Sequence, residues 1–281
     1  MSEHGFGWAP GDHPEQYYTL SFRSVPDTVE ILLKIPDVRT ILDQGNTPRC
    51  VVFSSQYSET INAWLKHTAM GLSEEEKAEL LKIYSTGWLW KQCGGTNQGA
   101  QIDWAMKVLR KQGNVRVING VDQPVDPREG ISAYSWPTTV DGMRAWLSLG
   151  NPGVLGRVWH TKDSDPEKVN NEYWIGRGNA GGGVGGHAIC VYGASDQRQA
   201  FALINSWGIA WPAPTEKPVP TWIPYETIRK DFEQEGAEFC APQDSVIGPP
   251  NPPPPSEKAY IDVKGVYSKN GRIYSGRLVE V

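Results

Sequence analysis

Cys50 stands in the stretch ILDQGNTPRCVVFSSQY, residues 41 to 57, six residues after Gln44 and at the head of an apolar run. A thiol in the first turn of a helix sits where the peptide dipoles favour the thiolate. A nucleophilic thiol also needs a base, a group that orients the base, and donors for the oxyanion. The segment GGGVGGHAICVYGA, residues 181 to 194, offers His187 after a glycine run and at the start of an apolar strand. The segment LINSWGIAW, residues 203 to 211, offers Asn205 with Trp207 beside it. An asparagine carbonyl can accept the imidazole N–H and turn the ring toward a thiol, and a tryptophan over that bond excludes water. The glycine run is a poor phosphate loop, because neither Gly-Lys-Ser/Thr nor a helix follows it.

Elements must bring these residues together. Thr47 and Pro48 read as an N-cap and first helical position for a buried helix from Cys50 to about Lys66. SEEEKAELLKIY pairs Ser73 with Glu76 as a capping box for a second helix. GAQIDWAMKVLRKQG predicts a third that stops at Gly113, and TVDGMRAWLSLG a fourth. In the second half, PGVLGRVW, HAICVYGA and AFALINSW are short β-rich runs between glycine and polar turns. Helices early and strands late predict an α+β protein with a helical and a sheet lobe.

The motifs QGNTPRC, GGHAICVYGA and INSWG, in this order, resemble the three signatures of the papain-like cysteine proteases. His187 and Asn205 follow Cys50 at separations close to that family's. PTWIPYETI, residues 220 to 228, resembles the aromatic strand that follows the asparagine in bacterial and phage-type members, and the likeness spans about residues 15 to 242. It implies a two-lobe fold, with a helical N-terminal lobe, an antiparallel β-barrel-like C-terminal lobe, and the active site between them. It implies Cys50 as nucleophile, held as thiolate by an imidazolium partner, His187 as general base and acid, and Asn205 as the group orienting His187. Gln44 and the Cys50 N–H would form the oxyanion hole, and peptide bonds would be hydrolysed through a thioester. Gly94 and Gly95, in QCGGTNQGAQIDWAM, resemble the segment that pairs with substrate backbone in the unprimed cleft, although an ordinary loop reads equally well. Gly186 and Trp207 complete the expected substrate-binding set.

The sequence also departs from that family. Thr47, Pro48 and Arg49 replace its Cys-Gly-Ser, and Val51 replaces its tryptophan, so the usual nearby disulfide is lost and Cys93 is left without its partner. Arg49 reads as a solvated turn residue in preference to a charge that favours the thiolate. Only 49 residues precede Cys50, so control by removal of a long inhibitory propeptide is not expected. Glu74, Glu75 and Glu76 read as a helix start, and Asp163 and Asp165 as a loop without EF-hand spacing. His4, His13, His67 and His160 lack a partner pattern and read as surface residues.

The chain has 281 residues, 39% hydrophobic and 21% charged, with net charge −5 and twelve tryptophans. That is enough for a well-buried core, and the absence of a basic tract excludes a nucleic-acid footprint. No window approaches a membrane span, and the first residues do not read as a secretory signal, so a cytoplasmic protein is expected. Four scattered cysteines without a CxxC pair fit neither a disulfide scaffold nor a zinc site. No metal and no cofactor are expected. GPPNPPPPS, residues 248 to 256, reads as a polyproline spacer between a peptidase domain over 1–247 and a tail over 257–281. Asn270-Gly271 predicts a hairpin in that tail, too small to stand alone, which would dock on its own domain, on a second copy or on an assembly partner. Three functions fit: a papain-like endopeptidase, a cell-wall peptide hydrolase, or a binding or structural protein of that fold mounted on a phage or bacterial assembly. The first is favoured by Gln44 and by the Asn-Ser-Trp-Gly sequence.

Overall fold

The computed structural model describes residues 5–11, 19–20, 26–33, 43–69, 71–76, 84–124, 130–178, 181–208, 210–212, 220–244, 262–264 and 276–277. The proline run, the Asn270-Gly271 turn, His4, His13 and most of the helix expected after Ser73 lie outside the described residues. The cap that opens that helix is present: the Glu76 N–H donates to Ser73 Oγ, and the Ser73 N–H to the Glu76 carboxylate at 2.9 Å.

Helix α1 (Cys50–Ala69) is buried over most of its circumference. Such a helix belongs inside a protein, between two layers. It begins at Cys50, as expected, although Pro48 is not its first residue. Arg49 supplies the first carbonyl of the ladder, accepting from Val52 and Phe53, while Thr47 Oγ1 closes the preceding turn by donating to Gln44 O at 2.6 Å. Helices α2 (Thr86–Gln92) and α3 (Ile102–Gln112) pack beside it. Ile102, Ala105, Met106 and Leu109 recur at helical spacing along one buried face of α3. Gly113, at φ 74°, ends α3 as the sequence predicts. Helix α4 (Val140–Ser148) is capped by Thr139, whose Oγ1 accepts from the Gly142 N–H at 3.0 Å.

In chain order the strands are β1 (Thr19–Leu20), β2 (Glu30–Leu32), β3 (Val115–Ile118), β4 (Val121–Pro124), β5 (Ile131–Ser135), β6 (Gly153–His160) and β7 (Glu167–Val169). They continue with β8 (Glu172–Trp174), β9 (Gly183–Ser195), β10 (Ala200–Ile204), β11 (Thr221–Pro224), β12 (Glu238–Asp244), β13 (Asp262–Lys264) and β14 (Gly276–Arg277). The main sheet runs β5-β12-β6-β9-β10-β11-β8-β7, with β2 also on β9. This order is open, and β8 pairs β11 in parallel. The expected antiparallel β-barrel is therefore corrected to an open, mixed sheet among the described residues. Helix α5 (Tyr225–Lys230) follows β11 and leads into a π-helical turn, Asp231–Glu235.

The arrangement is α+β with two lobes. One core gathers the start of α1 with α2, α3 and Trp8, and a second lies under the sheet with α4 and α5. In the tail, β13 pairs antiparallel with β14 on one side and with β1 of the same chain on the other. Among the described residues no helix is long and apolar enough to cross a membrane.

Candidate active site

Strand β9 places His187 opposite Arg157 of β6, and β10 ends at Ile204, immediately before Asn205. His187 Nε2 lies 2.7 Å from Asn205 Oδ1. The same oxygen accepts from the Ser206 N–H at 2.8 Å, which fixes which end of the amide faces the ring. Because a carbonyl oxygen only accepts, Nε2 carries the proton and Nδ1 is left as the basic nitrogen. The ring is walled by aromatics: Trp159 edge-on at 4.7 Å, Trp207 at 5.0 Å and Phe6 at 6.0 Å between centroids. Trp207 is 2% exposed, and its ring is tilted 35° to that of His187.

Cys50 opens α1 with its sulfur fully buried. The backbones of Ala188 (next in the chain to His187), Gly7, Val51 and Cys50 itself act to lower the pKa of that thiol. The expected low thiol pKa is corrected here: burial pushes the thiol up to about 11, and these backbones oppose the rise without cancelling it.

Gln44 is buried on the other side of the thiol turn. Its backbone N–H donates to Ser206 O at 2.9 Å, and its Oε1 accepts from Ser206 Oγ. Its Nε2 donates to Thr47 O and to Gly5 O, both at 2.8 Å. A glutamine held at three points presents one N–H group in a fixed direction, and that direction is filled by a peptide carbonyl of the same chain.

The expected substrate-binding residues divide. The Gly186 carbonyl accepts from the N–H groups of Gly7 and Trp8, both at 3.0 Å. Gly94 is exposed, at φ 69°, with open space where a Cβ would stand, and Gly95 packs against the Trp90 ring. It is Ala100, five residues beyond Gly95, that exchanges backbone hydrogen bonds with Gly7 and Ala9. Sequence reasoning missed both Ala100 and the N-terminal segment.

Other sequence readings are corrected by burial. Arg49 lies over the Trp90 ring at 5.6 Å and is only partly exposed. His67 is buried. Asp163 is no loop carboxylate: fully buried, it takes Arg157 Nη1 at 2.6 Å and the N–H groups of His160 and Gly176. Arg157 Nε also donates to Asp231 at 2.7 Å. His160 Nε2 lies 3.0 Å from Glu235, and His160, Asp231 and Glu235 bring ligand-type atoms within 4.8 Å of one another. The Arg157 cation already occupies one side of Asp231, so this group reads as an ion-pair network. Cys93 is buried and carries no disulfide.

No protein-family model and no curated protein matches the sequence. Solved structures do. Xylellain, a cysteine protease from Xylella fastidiosa, superposes with a TM-score of 0.63 at 20% identity, over 86% of this chain and 96% of that one. The procathepsin B S9 of Trypanosoma congolense gives 0.57 at 16% identity, over 86% of this chain and 87% of that one. A digestive procathepsin L 3 from the larval midgut of Tenebrio molitor gives 0.54 at 14% identity, over 86% of this chain and 76% of that one. With the sheet order, the central buried helix and the two lobes, these likenesses show that the chain has the papain-like cysteine-protease fold.

Proposed function

We propose that the chain is a thiol hydrolase of peptide bonds. The observation that carries this reading is His187, oriented by Asn205 at 2.7 Å on strand β9, which packs against the helix that opens at Cys50. His187 Nδ1 takes the thiol proton, and the thiolate attacks the carbonyl carbon of a peptide. Gln44 Nε2 and the Cys50 N–H hold the oxyanion of the tetrahedral intermediate. The imidazolium returns its proton to the leaving amine, a thioester remains, and water activated by His187 hydrolyses it. Asn205 keeps the Nε2 proton engaged throughout. No metal or redox group enters this scheme.

The test is hydrolysis of fluorogenic peptides together with labelling by an epoxysuccinyl thiol reagent near pH 6, read by intact mass. Both are run on the whole chain. One adduct at Cys50 that His187→Ala abolishes, with turnover lost in Cys50→Ala, is the expected result. A form whose Cys50 reacts readily with a simple alkylating agent, yet which turns over no peptide and takes no epoxide, overturns the reading.

A further inference from the structure

The hydrolysis leaves one buried cation without a task. Arg157 is 0% exposed. Its Nε donates to Asp231 Oδ2 at 2.7 Å and its Nη1 to Asp163 Oδ2 at 2.6 Å. Its Nη2 is buried too, and has no hydrogen-bond partner among the described residues. A buried donor without an acceptor is costly, and more so when it carries charge. Arg157 also lines a cavity of about 450 Å³, bounded by the end of β6, the glycines after β8, α5 and the π-helical turn. Its other two nitrogens are taken by carboxylates, so Nη2 is what Arg157 offers to that space.

An acceptor for Nη2 has to tolerate the charges around it. Asp231 and Glu235 line the same cavity, and Asp163 stands behind Arg157. One guanidinium and at most one imidazolium, that of His160, therefore face three carboxylates. A free oxyanion is repelled there, whereas a neutral oxygen carried beside a positive group is not. Oxygens of Asp231 and Glu235 lie within 4.8 Å of one another, so a single nitrogen can stand about 2.8 Å from both. A divalent metal ion fits less well. Glu235 is already bonded to His160 Nε2 at 3.0 Å, and a metal would set more positive charge beside Arg157 while leaving Nη2 without an acceptor. At the rim Arg177 and Lys230 are exposed, which keeps the place for a cation at the inner wall.

We propose that this cavity binds the free amino terminus of a peptide: the α-ammonium bridges Asp231 and Glu235, and the first carbonyl oxygen accepts from Arg157 Nη2. One residue offers both groups, a donor cation and a neutral acceptor joined through a single carbon. The ammonium brings three N–H donors to two carboxylates, and the carbonyl answers the one buried N–H group that the protein leaves open. The volume is in the range of small-ligand sites. None of Gln44, Cys50, His187 and Asn205 lines the cavity, so the site is separate from the catalytic groups and does not depend on the hydrolase reading.

The experiment titrates the whole chain, labelled with ¹³C in its histidine rings, near pH 6, where an α-amine is protonated. The probes are alaninamide, which carries both groups, N-acetylalaninamide, which carries only the carbonyl, ethylammonium, which carries only the cation, and acetate. Calorimetry gives the affinities. The ring signal of His160, identified by its loss in His160→Gln, reports the place, because this ring lines the cavity. Alaninamide is expected to bind at least tenfold more tightly than each of the other three, with the His160 signal moving in step with the heat. Glu235→Gln is expected to weaken alaninamide at least tenfold. The share of the carbonyl is read from alaninamide against ethylammonium on the wild-type chain, so no substitution of the buried Arg157 is needed.

Four results overturn the proposal. No saturable heat with alaninamide means that water alone answers Nη2. Acetate binding as tightly as alaninamide makes the cavity an oxyanion site. A signal change confined to His187 places the ligand in the catalytic cleft. Zinc added alone that moves the His160 signal and displaces alaninamide assigns the cavity to a metal.

Discussion

Asn205 Oδ1 accepts from His187 Nε2 at 2.7 Å and from the Ser206 N–H at 2.8 Å, so the residue that orients the imidazole is itself oriented by the backbone that follows it. The amide cannot turn over without losing both bonds. Asn205→Ala removes the acceptor from a buried ring that must carry a positive charge during turnover. A hydrogen bond to a charged group contributes about 1.5–3 kcal/mol, which corresponds to about 10–100-fold in rate. Peptide turnover is expected to fall by that factor in kcat, with little change in KM. A loss confined to KM would show that Asn205 serves binding rather than the base.

Burial of the cysteines sets how stability responds to alkali. Cys50 and Cys93 are both pushed up to about 11 by desolvation, and burial raises Cys190 and Cys240 as well. The unfolded chain loses these protons near pH 9, while the folded chain holds them to about 11. Between those values the folded state binds more protons, so stability is complete below pH 9 and is lost as pH rises through the window. Each thiol contributes up to about 1.4 kcal/mol per pH unit there. Urea midpoints are expected to fall from pH 8 to pH 10, and Cys190→Ala is expected to flatten that slope. A slope unchanged in Cys190→Ala would mean that this thiol already ionises in the folded protein.

Arg157 lies opposite His187 across β6 and β9, and its buried guanidinium is held by Asp163 at 2.6 Å and Asp231 at 2.7 Å. Removing one carboxylate leaves a buried cation short of a partner, which costs about 3–5 kcal/mol. Asp163→Ala is expected to lower unfolding free energy by that amount. Its effect on the site comes through the strand, because Trp159, two residues on, packs edge-on against His187. A loss below about 1 kcal/mol, a size typical of exposed ion pairs, would mean that water reaches the guanidinium.

How much of this was legible in the sequence depends on how far apart the partners lie. Gln44, Cys50, His187 and Asn205 each sit in a short local pattern, so a resemblance to a known family could point to them. The ends of α3 and α4 were legible for the same reason, since Gly113 and Thr139 act on their own helices. Trp8 and Glu238 are 230 positions apart, and Arg157 and Asp231 are 74 apart. Nothing in GFGWAPG has a period that marks it as a strand, because its order comes from the groove it occupies. The raised thiol pKa was hidden for the same reason: a helix terminus is visible in sequence, but the segment that shuts out its water is not. Asp163 looked like a loop residue because its partner Arg157 lies on the preceding strand in an otherwise apolar run.

Gln44 allows the oxyanion role to be separated from a structural one. Its Nε2 donates to Thr47 O and Gly5 O, while its Oε1 accepts from Ser206 Oγ. Gln44→Glu keeps an acceptor for Ser206 and removes the donor, whereas Gln44→Ala removes both. Loss of one oxyanion donor costs about 10²–10³-fold in kcat. Both variants are therefore expected to lose turnover by that order, and both to fall below wild type in thermal stability, since Gln44→Glu sets a buried carboxylate against the Thr47 and Gly5 carbonyls. A carboxylate facing a developing oxyanion also repels it, so Gln44→Glu should be the slower of the two. If Gln44→Glu instead kept turnover near wild type, Gln44 would only join the thiol turn to Ser206, and the oxyanion would have to be held by the Cys50 N–H alone.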